Sequence, residues 1–305
     1  MTIRAKALAS IAIAVSLSLS GCQAVKQGAA DLIASTGKVS QEDAQAIVKT
    51  AEVLRSTFAD ITEEEEYYIG RATAALILAK YKPYRNAAVS VYVNTMGTAL
   101  SYYSDRPEVY AGYHFLVLDT DEVNAMAAPG GFIFVTKGLV KRCGDEETLA
   151  AILAHEIGHV AARHGLQSIK KSRLIDAFKA LGSEASQRLD SEELTKITGI
   201  FEGVLGDVVE TLVERGYDRK FEYEADKLGL TFAVRTGYAP GGLAEFLKSM
   251  EENRPSGPAA GWFKTHPSPA DRLARVKTET AALGAAPAKL DVRTARFAAA
   301  VKNLH

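Results

Sequence analysis

Cysteine is nearly missing from this chain, with only Cys22 and Cys143 among 305 residues. A disulfide framework is therefore excluded as the source of stability. A surplus of charge is missing too. The 36 basic and 37 acidic residues leave a net charge of −1, so nothing draws a polyanion and no nucleic acid is expected as a partner. Short basic pairs such as Lys170-Lys171 read as solvated helix faces. Long apolar runs are scarce: Ala7–Leu19 is too short for a permanent bilayer span, and the apolar stripe at 197–213 is broken by charge. No internal repeat is visible. What remains is 47% hydrophobic and 24% charged, which is enough apolar chain to bury a real core.

The one apolar run at the N-terminus follows Arg4 and Lys6, the layout of an export signal. It ends in Leu19-Ser20-Gly21-Cys22, which resembles the bacterial lipobox, where the cysteine becomes the lipidated first residue. Residues 1–21 are read as the signal peptide, Cys22 as the lipidation site and membrane anchor, and 22–43 as a tether. Gln23 follows where an inner-membrane retention signal would place Asp, so the expected address is the bacterial outer membrane, facing the periplasm. With Cys22 lipidated, Cys143 has no disulfide partner and reads as a small buried residue.

Past the tether, helical periodicity is expected at 44–58, 63–81 and 91–102. The period then shortens: Tyr113–Asp119 and Gly131–Thr136 are β-branched and aromatic, bounded by turn formers, and read as strands. A helix is predicted from Glu146 to His164, stopped by Gly165, followed by a largely helical insertion at 166–216. Further helices fit 218–236, 241–252 and 269–282, and 284–305 reads as a linker with a short helical tail beyond a domain at 44–283. Helices with a few strands, out of βαβ alternation, predict a mainly helical α+β fold with a small sheet beside the 146–164 helix.

That helix carries "LAHEIGHVAARHG". Residues four apart lie about 40° apart around a helix axis, so His155 and His159 present two imidazoles from one face. Glu156 beside them is placed to take a proton from a water at a shared metal ion. The surroundings are apolar on every side, where an unpaired buried charge costs several kcal/mol unless a metal or partner compensates it. Two ligands do not complete a zinc site. Ala162 and Gly165 stand where the metzincin extension needs Gly and His, and His164 lies about 140° round the helix from His159. It reads as a histidine favourable to the helix C-terminus. A carboxylate from a second helix is the remaining solution, and "FEYEAD" supplies it. Glu222 and Asp226 share a face, so Glu222 can bind metal while Asp226 holds the far nitrogen of a ligand histidine. Glu224 points elsewhere and reads as solvated.

"HEIGH", "EYEAD" and the preceding "VNAMAAPGGFIFVTKGL" together resemble the zinc metallopeptidases related to HtpX and the CAAX prenyl proteases. The soluble, periplasmic BepA/LoiP-type branch is the nearer likeness, over about residues 60–280. The resemblance implies a zincin-like metalloprotease domain holding one Zn2+, with Glu222 as its third protein ligand. It also gives weight to His266 and Arg272 in "THPSPADRL". His266 could approach the metal and close the site, bind an oxyanion, or cap the helix that starts near Pro269. Arg272 could stabilise developing negative charge or only pair with an acid. No tetratricopeptide array follows, so a BepA-like docking module is not implied.

The expected chemistry is hydrolysis of peptide bonds, with Glu156 as general base and acid and with His266 or Arg272 helping at the oxyanion. Either Gly131–Thr136, which includes Gly131 and Phe132, or the segment holding Asn124 and Ala125 would be a sheet edge on which an extended substrate pairs. Such pairing recognises conformation more than sequence and suits unfolded or misfolded envelope proteins. The alternative is a non-proteolytic, chaperone-like lipoprotein whose zinc site is structural or latent; an intact Glu156 speaks against it. The residues do not fix an oligomeric state.

Overall fold

Thr62 starts the first helix, α1 (Glu63–Lys80), with a capping box: its hydroxyl accepts from the Glu65 N–H, and the Glu65 carboxylate accepts from the Thr62 N–H. This computed structural model describes residues 61–169, 203–254, 261–266, 269–283, 287–302 and 304. The signal peptide, Cys22, the tether, the helix expected at 44–58 and most of the 166–216 insertion lie outside the described residues. Asn86 caps α2 (Ala87–Tyr102), which begins four residues before the expected start and turns Val89, Val93, Met96 and Leu100 into the core.

Three strands follow, β1 (His114–Leu118), β2 (Ala125–Ala128) and β3 (Phe132–Thr136), in the order β1-β3-β2. β3 pairs parallel with β1 and antiparallel with β2. This corrects one expectation. Phe132 ends the turn into the central strand and Gly131 lies in that turn, so neither can offer a free edge; the edges are β1 and β2, and Asn124 and Ala125 stand at the start of β2. β2 has the sequence Ala-Met-Ala-Ala, which carries almost no strand propensity of its own. Its pairing with β3 makes it a strand.

After α3 (Lys137–Arg142) comes the helix with the histidines, α4 (Glu146–Ala161), capped by Asp145 accepting from the Thr148 N–H. Every residue from Glu146 to Val160 is buried. The helix stops three residues short of the expected end. Arg163 adopts the left-handed region at φ 56°, and a new turn of helix, α5 (His164–Gln167), begins beyond it. That backbone is unfavourable for a residue with a side chain, and it is held by Glu66 of α1. Fully buried, Glu66 pairs with Arg163 Nε and Arg106 Nη2, each at 3.0 Å, and accepts from the Gly130 N–H at 3.2 Å.

Residues 203–209 are helical and run into a π turn at Glu210–Arg215. The remaining helices are α6 (Arg219–Arg235), α7 (Gly242–Glu252), α8 (Trp262–Thr265), α9 (Pro269–Ala282) and α10 (Asp291–Val301). The short α8 falls where no element was expected. The tail, expected beyond the domain, packs on α4 and α2 through α10. There Arg293 pairs with Glu147 at 2.9 Å, Arg296 holds Glu146, and Phe297 is buried. Cys143 is a free, buried thiol, pushed well up by burial.

Helices α4 and α6 cross at glycines. A Cβ on Gly229 would stand 2.7 Å from the His155 backbone nitrogen, and one on Gly158 would stand 3.0 Å from the Ala225 carbonyl oxygen. The two backbones touch, which brings side chains of α6 onto those of α4. Gly229→Ala is expected to destabilise the fold by about 1–3 kcal/mol through forced separation, measurable as a lowered urea midpoint.

Candidate metal centre

One helical turn apart on α4, His155 and His159 bring their Nε2 atoms to 3.1 Å of each other. From α6, Glu222 Oε1 lies 3.4 Å from His159 Nε2, and Glu222 Oε2 lies 3.8 Å from His155 Nε2. His266, at the end of α8, turns its Nε2 to 3.4 Å from Glu156 Oε1. One ligand atom from each of His155, His159, Glu222 and His266 fits within 4.8 Å of the others, and all four residues are buried.

Each imidazole is fixed from behind. His155 Nδ1 is 2.9 Å from Asp226 Oδ1, His159 Nδ1 is 2.9 Å from His164 Nδ1, and His266 Nδ1 is 3.0 Å from Thr265 Oγ1. The Thr265 hydroxyl in turn donates to Asn124 Oδ1 at 2.9 Å, which leaves it free to accept from His266. Rings complete the support: Trp262 stacks on His266 at 4.0 Å, and Tyr217 stacks on His159 at 4.2 Å. All three Nε2 atoms are then turned toward one place.

Arg272 of α9 is fully buried and occupied by acids. Nε and Nη2 donate to the two Asp226 oxygens at 2.8 and 2.6 Å, and Nη1 lies 2.8 Å from Glu222 Oε2. Of the two roles open to it in the sequence, this is the pairing one. Burial alone would raise the Asp226 carboxyl; Arg272 and His155 overcome it and hold it well below the carboxylate range. Glu156 and Glu222 are pushed up to about 7 by burial, against the pull of nearby positive charge. Burial lowers His266 to about 3 and His159 well below its ordinary value, so these imidazoles are neutral.

The residues fit a divalent cation on two counts. Among the described residues neither oxygen of Glu156 has a hydrogen-bond partner, and Glu222, though ion-paired, accepts no well-directed hydrogen bond. Such groups are costly to leave so when buried. For Glu156, Glu222 and Asp226 to be ionised together, three buried carboxylates would face one buried guanidinium, Arg272, among the described residues, and the two negative charges left over are the charge such an ion would neutralise. Neutral nitrogen and carboxylate oxygen in this number suit zinc.

Sequence reasoning had assigned His155, Glu156, His159, Glu222, Asp226, His266 and Arg272, and the fold brings all seven together. It had set aside His164 and Glu224, which instead stand behind His159: His164 Nε2 is 3.4 Å from Glu224 Oε2. Thr265 and Tyr217 were missed. Thr265 was signalled only by its place before His266, and Tyr217 by nothing.

Comparison with known proteins agrees with this arrangement. The profile of Peptidase family M48 matches residues 71–280. The chain is 28% identical to the beta-barrel assembly-enhancing protease of Escherichia coli (strain K12) over 216 residues, 68% of this chain but only 41% of that protein. It is 30% identical to metalloprotease YcaL of the same organism over 175 residues, 55% of this chain and 62% of that one. Mitochondrial metalloendopeptidase OMA1 of Schizosaccharomyces pombe matches at 30% over 159 residues, 50% of this chain and 42% of that one. With both motif helices and their buried donors inside a match that covers well over half its length, the chain belongs to peptidase family M48.

Proposed function

We propose that this chain is a zinc-dependent endopeptidase that cleaves unfolded or misfolded envelope proteins at the periplasmic face of the outer membrane. One observation carries the reading. Among the described residues Glu156, a buried carboxylate that accepts no hydrogen bond, sits against a cluster of imidazoles and a second carboxylate. A purely structural site needs the ligands but not the base. A zinc ion held by His155, His159 and Glu222 supplies Lewis acidity and a water acidic enough to deprotonate near neutral pH.

The chain's own groups do the rest. Glu156 takes a proton from the attacking water and delivers it to the nitrogen of the leaving amine as the C–N bond breaks. Asp226, itself gripped by Arg272, keeps His155 in the tautomer with a bare Nε2. Arg272 thereby acts through Asp226 and Glu222 rather than on substrate. His266 belongs to the same donor cluster, so with it in place the open position of a catalytic site is taken. This favours a closed resting form, which His266 leaves for turnover.

The substrate edge is closed in the same way. The Thr136 N–H donates to the Asn124 carbonyl, so along β2 the backbone groups of Ala125 and Ala127 face away from β3. One group of each is already capped there: the Ala125 N–H donates to Asn124 Oδ1 at 3.0 Å, and the Ala127 carbonyl accepts from the Tyr217 hydroxyl at 3.1 Å. An extended peptide takes over these two bonds when it adds to β2. Among the described residues no helix is long and apolar enough to cross a membrane, and the export signal and Cys22 supply the anchor in this reading.

Glu156→Gln is expected to keep one zinc per chain and lose about 10²–10⁴-fold in kcat on an unfolded protein. Metal analysis and a casein-type assay read both, and undiminished cleavage sinks the mechanism. Arg272→Met should destabilise the metal-free protein by about 3–5 kcal/mol in urea unfolding, because it strands two buried carboxylates.

A further inference from the structure

His155 rests on a carboxylate and His266 on a hydroxyl, but His159 rests on another imidazole, at 2.9 Å between two Nδ1 atoms. One proton sits between them, and the geometry says whose it is. The other nitrogen of His164, Nε2, faces Glu224 Oε2 at 3.4 Å, and an ionised carboxylate can only accept. The His164 proton therefore belongs on Nε2, which leaves its Nδ1 as an acceptor. The shared proton then comes from His159 Nδ1, and His159 Nε2 is left bare, turned toward His155 Nε2 and Glu222.

We infer that His164 is a positioning residue for the metal: with Glu224 behind it, it fixes His159 in the tautomer whose Nε2 can bind an ion. This rests on the reading of the cluster as a metal site. The backbone is built to bring His164 there. On a continuous helix the fifth residue after His159 would lie about 140° away around the axis. The left-handed turn at Arg163 breaks the helix and brings His164 back against His159. Phe221, on the same helix as Glu224, stacks on the returned ring at 4.4 Å. His155 thus has a sealed carboxylate behind it, whereas the chain behind His159 ends on an exposed one.

The test uses the full chain, stripped of metal. Zinc affinity is measured by competition with a chromophoric chelator at fixed pH, for wild type and for His164→Leu, His164→Asn and Glu224→Ala. His164→Leu, which keeps apolar bulk but accepts nothing, should lose about 10–100-fold in affinity. His164→Asn places Oδ1 near the former Nδ1 and should stay within about threefold of wild type, while Glu224→Ala should lose about three- to tenfold. Equal affinity for His164→Leu and wild type overturns the inference. So does an asparagine variant as weak as the leucine one, which would make the role one of packing. An unchanged Glu224→Ala removes Glu224 from it. If His164→Leu does not fold, nitrogen-15 spectra of the metal-free wild type decide: His159 should carry its proton on Nδ1, and finding it on Nε2 overturns the inference. A wild type that binds no zinc instead defeats the metal reading, and the tautomer measurement still stands.

Discussion

Buried charge in need of an opposite is the constraint around which this molecule is arranged. Three carboxylates and one guanidinium are shut away from water where α4, α6 and α9 meet. Arg272 spans two of the acids, and it fastens α9 to α6 by buried charge, where the other ion pair between them, Arg219 with Asp271, is exposed. Remove the apolar shell and these groups would be solvated and independent. Inside it, Arg272 answers Asp226 and Glu222 while Glu156 is left without a countercharge of its own among the described residues, so the centre is completed only by a further cation.

Close backbone approach is the second requirement, and it works through absence of side chains. Glu222 reaches the imidazoles because Gly158 and Gly229 let two helices touch. The same economy of bulk shows in β2, whose alanines lie fully buried between β3 and the π turn with its following Tyr217. Small residues here set distances; the larger ones, Trp262, Tyr217 and Phe221, hold ring planes.

Much of the site was legible in the sequence, for a physical reason. The pairs His155–His159 and Glu222–Asp226 are local: four residues on a helix fix their relation wherever the helix goes. Helices α1, α6, α7 and α9 were legible on the same grounds, with expected bounds close to their observed ends. What was not legible is what depends on distant chain. Nothing local in Ala-Met-Ala-Ala says strand, and nothing near Gly131 says that the following strand is central. The helix end at Ala161 was misplaced because Gly165 is the stronger local stop signal. At the actual break Arg163 pairs with Glu66, almost a hundred positions earlier. His164 was judged by its angle on a helix that does not continue that far, and so its partnership with His159 was invisible. Arg272's choice between oxyanion and acid likewise awaited the neighbours that only folding supplies.

The ion pairs at the start of α4 have a consequence in time. Glu146 and Glu147 are buried at the N-terminus of the helix that carries His155, Glu156 and His159. The arginines that neutralise them, Arg296 and Arg293, come 150 and 146 residues later in the chain. Until those arginines have emerged, seating α4 would leave two carboxylates in an apolar interior without counterions, at a cost of several kcal/mol. Synthesis therefore delivers the reactive helix first and the means to dock it much later. A chain interrupted before α10 carries every ligand of the centre, yet lacks the part that settles them into place.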